Sequence, residues 1–396
     1  MSRMKTIIQQ KLAQAVGLLN EQNVDAWITF VRETSQTHDP ALDILLGFGL
    51  TWESALIVTR SGEKIAIVGR YDADNVKKLE AYDRVLGYDQ SVRELLTTEI
   101  KRIDPQTIAL NYSLSDSGAD GLTHGMWLKL RDLLGEPFVS RFVSGEGIAR
   151  RLRERKSLAE IARVRATIKK TEELYDALFD LPLTGMTEIQ VHSLAGDYAA
   201  RQGVAFGWER ISCPIVNAGE FSSIGHGIPD HIKIEPGMIV HFDMGLRADE
   251  YCSDLQRDAY VLRDGERQAP AEVQRAWDAC RTALEAGRAA LKAGVPCWTV
   301  DKAARDSLVG AGYEEFKHAF GHHVGRKVHD GGSVLGPHWE KYGDLPNMLV
   351  EPNSIYAIEL GVMVPGHGYL GLEENVLVTE GGAEYLSEPQ RELILV

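Results

Sequence analysis

Two stretches of this chain restrict its possible folds more than any others. "MIVHFDMGLRADEYCSDLQRDAY" (238–260) and "IYAIELGVMVPGHGYLGLEENVLVT" (355–379) each read as strand, turn, strand. Every arm carries an acid within apolar sequence: Asp243 and Asp254 in the first, Glu359 and Glu373 in the second. Strand side chains alternate faces with a period of two. Folding the first stretch about Ala248–Asp249 places Asp243 opposite Asp254. Folding the second about Gly366, beside Pro365, places Glu359 opposite Glu373. Opposed like charges destabilise a hairpin, and an unpaired charge is costly to bury. Either the register differs or something positive sits between the acids. Four carboxylates carry −4, which two divalent cations would cancel. Oxygen-rich sites suit manganese or a similar hard ion, and a histidine ligand widens the choice to cobalt, zinc or iron.

A histidine ligand is at hand. "HAFGHHVGRKVHD" (318–330) holds His318, His322, His323 and His329, four of the twelve histidines in the chain. Single histidines are usually structural, but four in a glycine-punctuated segment suggest ligation.

These segments resemble the pita-bread metallopeptidases, a group that includes methionine aminopeptidase, aminopeptidase P and prolidase. The resemblance covers roughly residues 156–396. The family's ligand order of Asp, Asp, His, Glu, Glu falls on Asp243 (in DMG), Asp254 (in CSD), His322 (in GHHVG), Glu359 (in IEL) and Glu373 (in LEEN). Its further histidines match His226 in "IGHGIPD" and His329, seven positions beyond the ligand, and "SDLQR" with Arg257 matches SDxTR. The N-terminal region is similar to that of creatinase, prolidase and aminopeptidase P. The resemblance implies two bound divalent ions, most simply Mn2+ with Co2+ or Zn2+ as alternatives. Asp254 and Glu373 would bridge them, Asp243 would complete one, and His322 with Glu359 the other. It further implies hydrolysis of Xaa-Pro dipeptides by a hydroxide bridging the ions, as in prolidase. His329 would stabilise the oxyanion, His226 would position the substrate, and Glu359 would carry a proton to the leaving nitrogen.

The sequence departs from the family at several points. Leu360-Gly361 stands for Pro-Gly after Glu359, Met363 for a tyrosine, Gly371 for an arginine, and Gly321-His322-His323 for GHG. Arg326 is expected to replace the tyrosine at the substrate. His318 is placed near the substrate as well, and His318 and His323 are read as supporting residues rather than catalysts. Arg32, in the polar stretch after the first strand, is the expected reader of a free substrate carboxylate. Asp249, Glu250 and Asp258 read as solvated acids, Arg257 as the partner of a ligand carboxylate, and Trp208 as either pocket wall or packing.

The remaining sequence fits two domains. Residues 1–150 alternate strand-like segments ("DAWITF", "SALIVTR", "EKIAIVG", "TIALNYS") with helical periodicity ("DADNVKKLEAY", "SVRELLTTEIKRI", "GLTHGMWLKLRDLLG"). The alternation predicts an α/β N-terminal domain, which the resemblance implies is of the creatinase/prolidase kind. For residues 151–396 the resemblance implies an α+β pita-bread catalytic domain, opening on one long charged amphipathic stretch of helical spacing. A net charge of −14 with no long basic run argues against nucleic acid and against an anionic membrane surface as partners. No apolar run approaches 18 residues, no signal peptide is evident, and the four cysteines form no CxxC pair. The expectation is a cytoplasmic protein with reduced thiols, homodimeric by family resemblance. Aminopeptidase P, acting on longer Xaa-Pro peptides, is the alternative activity. A metal-free pita-bread enzyme or an inactive binding scaffold would have lost the ligands that this chain retains.

Overall fold

A computed structural model describes residues 2–225 and 227–396. By its contacts the chain divides into two compact units, Met1–Ser157 and Leu158–Val396. The division lies seven residues beyond the expected boundary, and its cause is local. The expected single helix is two, Glu146–Glu154 and Leu158–Phe179. Ile148, Ala149 and Leu152 of the shorter helix belong to the core of the first unit. The buried Lys11 ammonium donates to the carbonyls of Leu152 (2.6 Å) and Arg155 (2.9 Å). A cation thus satisfies carbonyls at this helix end, where helical hydrogen bonding runs out.

In the first unit the elements are α1 (Ser2–Gln22), β1 (Ala26–Val31), α2 (Leu42–Leu45), β2 (Ser54–Thr59), β3 (Lys64–Gly69), α3 (Arg70–Lys78), β4 (Arg84–Tyr88), α4 (Arg93–Ile103), β5 (Ile108–Leu110), α5 (His124–Leu134), β6 (Phe142–Ser144) and α6 (Glu146–Glu154). Among the described residues the strands form one six-stranded mixed sheet in the order β4-β3-β2-β1-β5-β6. Alternation divides it cleanly. Trp27, Val31, Leu56 and Val58 pack into one core with α1 and α6. Ile28, Phe30, Ala55 and Ile57 pack into another with α4 and α5. A sheet covered on both faces explains why its strands read as continuous apolar runs.

The second unit comprises α7 (Leu158–Phe179), α8 (Glu188–Gln202), β7 (Ala205–Phe206), β8 (Ile215–Ala218), β9 (Ile239–Met244), β10 (Leu246–Ala248), β11 (Tyr251–Cys252), β12 (Leu255–Tyr260), α9 (Ala271–Ala290), α10 (Cys297–Gly310), β13 (Gly321–His323), β14 (Ile355–Val364), β15 (Gly368–Thr379), β16 (Gly382–Tyr385) and β17 (Ile394–Leu395). The main sheet runs β13-β14-β15-β12-β9-β8, with β16 on β15 and β17 on β12; β7, β10 and β11 form a separate small sheet.

Alternation also decides which face becomes the site. Tyr356, Ile358, Leu360, Val362 and Val364 of β14, with Leu370, Leu372 and Val376 of β15, pack against Trp277 and Leu284 of α9 and Leu308 of α10. The odd-numbered residues of both strands, including Glu359 and Glu373, therefore point to the face away from those helices. The four cysteines are buried and form no disulfide. No helix among the described residues is long and apolar enough to cross a membrane.

The central strands are locked by a buried ion pair. Arg257 on β12 reaches Glu374 on β15 at 3.1 Å and also donates to the carbonyls of Gln256 and Glu373. Replacing Arg257 with Met would strand the Glu374 charge in the interior, a change that typically costs about 3–5 kcal/mol. Urea unfolding of Arg257→Met should show a loss of that order. A loss below about 1 kcal/mol would mean that Glu374 does not depend on this partner.

Candidate metal centre

The strand register assembles the acids. Asp243 on β9 pairs with Gln256 on β12, Gln256 with Glu373 on β15, and Glu373 with Glu359 on β14. One row thus crosses four neighbouring strands and carries three carboxylates. The expected pairing of Glu359 with Glu373 is present. The expected pairing of Asp243 with Asp254 is not, because β10 and β11 leave the main sheet between β9 and β12 and shift the register by two. A shift of two preserves the facing of every side chain, so Asp254 stays on the same face as Asp243.

Asp254 precedes the first ladder residue of β12, and a side chain supplies its missing backbone partners. Asn375 Oδ1 accepts from the Asp254 amide at 3.1 Å, and Asn375 Nδ2 donates to the Asp254 carbonyl at 2.8 Å. His322 arrives on β13, paired with Ala357. Its Nε2 lies 3.6 Å from Asp254, 3.7 Å from Glu373 and 3.9 Å from Glu359. Ligand atoms of Asp254, His322 and Glu373 all fall within 4.8 Å of one another. Ligands about 2.1 Å from a shared ion lie roughly 3–3.5 Å apart, so modest closure suffices to coordinate one. The His329 ring stands edge-on to His322, with centroids 4.3 Å apart.

The residues fit divalent metal. Asp254 Oδ1 and Glu373 Oε1 are buried and have no hydrogen-bond partner among the described residues. Native interiors rarely leave such atoms unsatisfied. Burial, and then the charges of Asp243 and Glu359, holds the Asp254 carboxyl well above the usual range. Burial followed by Asp254, Glu359 and Asp243 does the same for Glu373. Glu359 is pushed up to about 8 by burial and by Asp243, with the Gln256 hydrogen bond opposing. His322 is pushed down to about 3 by burial and then by His329, which leaves the imidazole neutral and able to ligate.

Several supports were not evident from sequence. Gln256 Nε2 holds Glu359 Oε2 at 2.9 Å. Asp258, expected to be solvated, is fully buried; it accepts from the Gly371 amide and meets His241 Nδ1 at 2.9 Å. Its position on the site face, two residues beyond Gln256, was the available signal. Arg257 pairs with Glu374 and with the backbone of Glu373, not with a ligand carboxylate. His323 lies beneath the site, bonded to Ser333 at 3.0 Å and packed on Tyr356. Asp249 and Glu250 are exposed, as expected.

A cavity of about 480 Å³ opens over the centre, lined by Trp208, Lys327 and His329 together with Asp243, Asp254, His322, Glu359 and Glu373. Trp208 is therefore a wall residue. Lys327 was missed, although its place in the histidine segment pointed to it. Arg326, expected at the substrate, is buried against Tyr251 and ion-paired with Glu250 at 3.3 Å. It does not line this cavity, because the exposed chain direction falls to its neighbour. His318 is an exposed residue lining a second cavity beside the first. Arg32 is exposed just past β1 in the first unit. His226 lies outside the described residues.

A model of metallopeptidase family M24 matches residues 162–380. An uncharacterized peptidase of Staphylococcus haemolyticus is 26% identical over 395 residues, spanning 98% of this chain and 99% of its own. Among solved structures, an Xaa-Pro dipeptidase from Bacillus anthracis superposes with a TM-score of 0.77 at 20% identity, over 98% of this chain and 100% of its own. An X-Pro aminopeptidase from Thermotoga maritima gives a TM-score of 0.73 at 21% identity, over 97% and 99%.

The acid cluster sets a pH signature. A carboxylate whose pKa is raised by folding stabilises the fold while protonated, and that stability is lost as pH climbs from the ordinary 4.5 through about 8 for Glu359. His322 acts oppositely: its contribution grows from about pH 3 to 6.5 and is flat above that. Between pH 6.5 and 8.5 only the carboxylates act. Metal-stripped protein should therefore show a falling Tm over that interval, and saturating Mn2+ should abolish the fall. A flat metal-free profile would contradict the clustering of charge.

Proposed function

The chain belongs to metallopeptidase family M24, and from that premise we propose that it is a dinuclear dipeptidase hydrolysing Xaa-Pro dipeptides. One observation carries the reading: Asp243, Glu373 and Glu359 stand in one row across the sheet with Asp254 on the same face, buried oxygens of Asp254 and Glu373 are left unbonded, and a neutral imidazole lies beside them. Asp243, Asp254, His322, Glu359 and Glu373 are assigned as ligands of two divalent ions, with Mn2+ favoured by the preponderance of oxygen donors. Bound there, the ions would acidify a water molecule and polarise the scissile carbonyl.

The remaining work falls to side chains. Asn375 fixes Asp254 through its backbone, so the ligand keeps its place before substrate arrives. Glu359, with one oxygen held by Gln256, is assigned to carry a proton to the leaving nitrogen. In an Xaa-Pro bond that nitrogen bears no hydrogen and must gain one. His329, in the cavity wall, is assigned to stabilise the oxyanion. His226 is assigned to position the substrate on sequence grounds.

The same fold serves a dipeptidase and an aminopeptidase among the solved structures, so fold does not choose between them. Lys327 favours the dipeptide. It is an exposed ammonium in the wall of the metal cavity, suited to the free carboxylate that a dipeptide presents immediately after proline.

Two outcomes are expected. Asp254→Asn should lose metal, measured by atomic emission, and at least about 100-fold in Gly-Pro hydrolysis; a folded variant retaining two metals and full rate would refute the ligand assignment. Lys327→Met should raise KM for Gly-Pro about tenfold while leaving Gly-Pro-amide unchanged. An unaltered ratio between the two substrates would place carboxylate recognition elsewhere.

A further inference from the structure

Beyond the acid row, on the side away from Asp254, lies the second cavity, of about 630 Å³. It shares Asp243 and Glu359 with the first, so a molecule bound across the row reaches both. Tyr369 stands in its wall. The residue sits on β15 opposite Met363 and therefore on the site face. The cross-strand pair Gly361–Gly371 leaves room for its ring to lean toward the acids. A Cβ on Gly371 would meet the ring at 2.6 Å, and one on Gly361 would collide with the hydroxyl.

The ring is held and the hydroxyl is not. His241 meets the ring edge-on at 5.0 Å and 89°, and Asp258 pins His241 from behind at 2.9 Å. Among the described residues the Tyr369 hydroxyl makes no hydrogen bond, although a largely enclosed tyrosine usually finds one. A phenol is protonated at neutral pH, and burial raises its pKa further. The result is a neutral donor, fixed in direction and aimed into a cavity next to Glu359.

We propose that Tyr369 is a substrate-positioning residue whose hydroxyl donates a hydrogen bond to a carbonyl oxygen of the bound peptide, on the side of the acid row away from the cavity lined by His329. The inference rests on reading the row as the peptide-cleaving site. Tyr369→Phe keeps the ring and its contact with His241 and removes only the donor. Manganese-loaded full-length wild type and variant are assayed on Gly-Pro, Ala-Pro, Ala-Pro-Ala, Ala-Ala and Leu-Gly. Whichever peptide the wild type cleaves fastest serves as the probe. A non-proline winner would therefore overturn the Xaa-Pro reading while still testing Tyr369. The variant should match wild type in metal content and Tm, raise KM for the probe about tenfold and leave kcat within about threefold. A KM within about twofold of wild type overturns the inference. A rise accompanied by lost metal or a lowered Tm also overturns it, since that marks a structural role, as does a wild type that cleaves none of the five.

Discussion

The repulsion among Asp243, Asp254, Glu359 and Glu373 is the constraint on which the catalytic unit turns. Three of these acids lie in one row across four neighbouring strands, and the fourth stands on the same face two residues from the row. Carboxylates packed this closely in a low-dielectric interior cannot all ionise without compensation, and each of Asp254, Glu359 and Glu373 has its pKa driven upward first by burial and then by Asp243 or further acids of the set. The fold nevertheless imposes the arrangement, because the alternate residues of the same strands build the core against α9 and α10. Breaking up the acids by slipping the register by one residue would turn Leu360, Leu372 and Val376 out of that core.

Much of the polar chemistry of the fold keeps the candidate ligands in place. Asn375 replaces the absent ladder partners of Asp254, Gln256 holds Glu359, and Arg257 ties β12 to β15 through Glu374. His323, Ser333 and Tyr356 form a bonded layer under His322. Such surrounding contacts orient metal ligands and are felt in metal affinity when removed. Asp258 and His241, in the next row along the sheet, and Tyr369, opposite Met363 one row further, extend the organised polar surface into the second cavity.

Much of this was legible in the sequence. Acids at fixed spacing in apolar strands, together with the histidine segment, pointed to the family and to the candidate ligands that the sheet register brings to one face. Strand periodicity also gave the Glu359–Glu373 pairing correctly, because a tight turn at Pro365–Gly366 fixes that register. For Asp243 and Asp254 the register differs, because β10 pairs with β11 and also with the distant β7, a non-local arrangement that local pattern does not encode. Asp258 was misread as solvated because the expected register set His241 opposite Gln256, whereas the observed one sets it opposite Asp258. Arg326 was expected at the substrate and Lys327 went unnoticed, whereas burial against Tyr251 and the pairing with Glu250 keep Arg326 out of the cavity and Lys327 lines it. That α6 packs with the first unit rests on contacts of Ile148, Ala149 and Leu152 and on Lys11, some 140 residues away in sequence, which local pattern does not show.

The central claim is that cations reconcile these acids with burial, and that two are needed. Anomalous diffraction from crystals of the manganese-loaded protein tests it most directly. Two peaks are expected within the cluster, both touching Asp254 and Glu373, one completed by Asp243 and the other by His322 and Glu359. A single peak, or manganese bound only away from these five side chains, would contradict it.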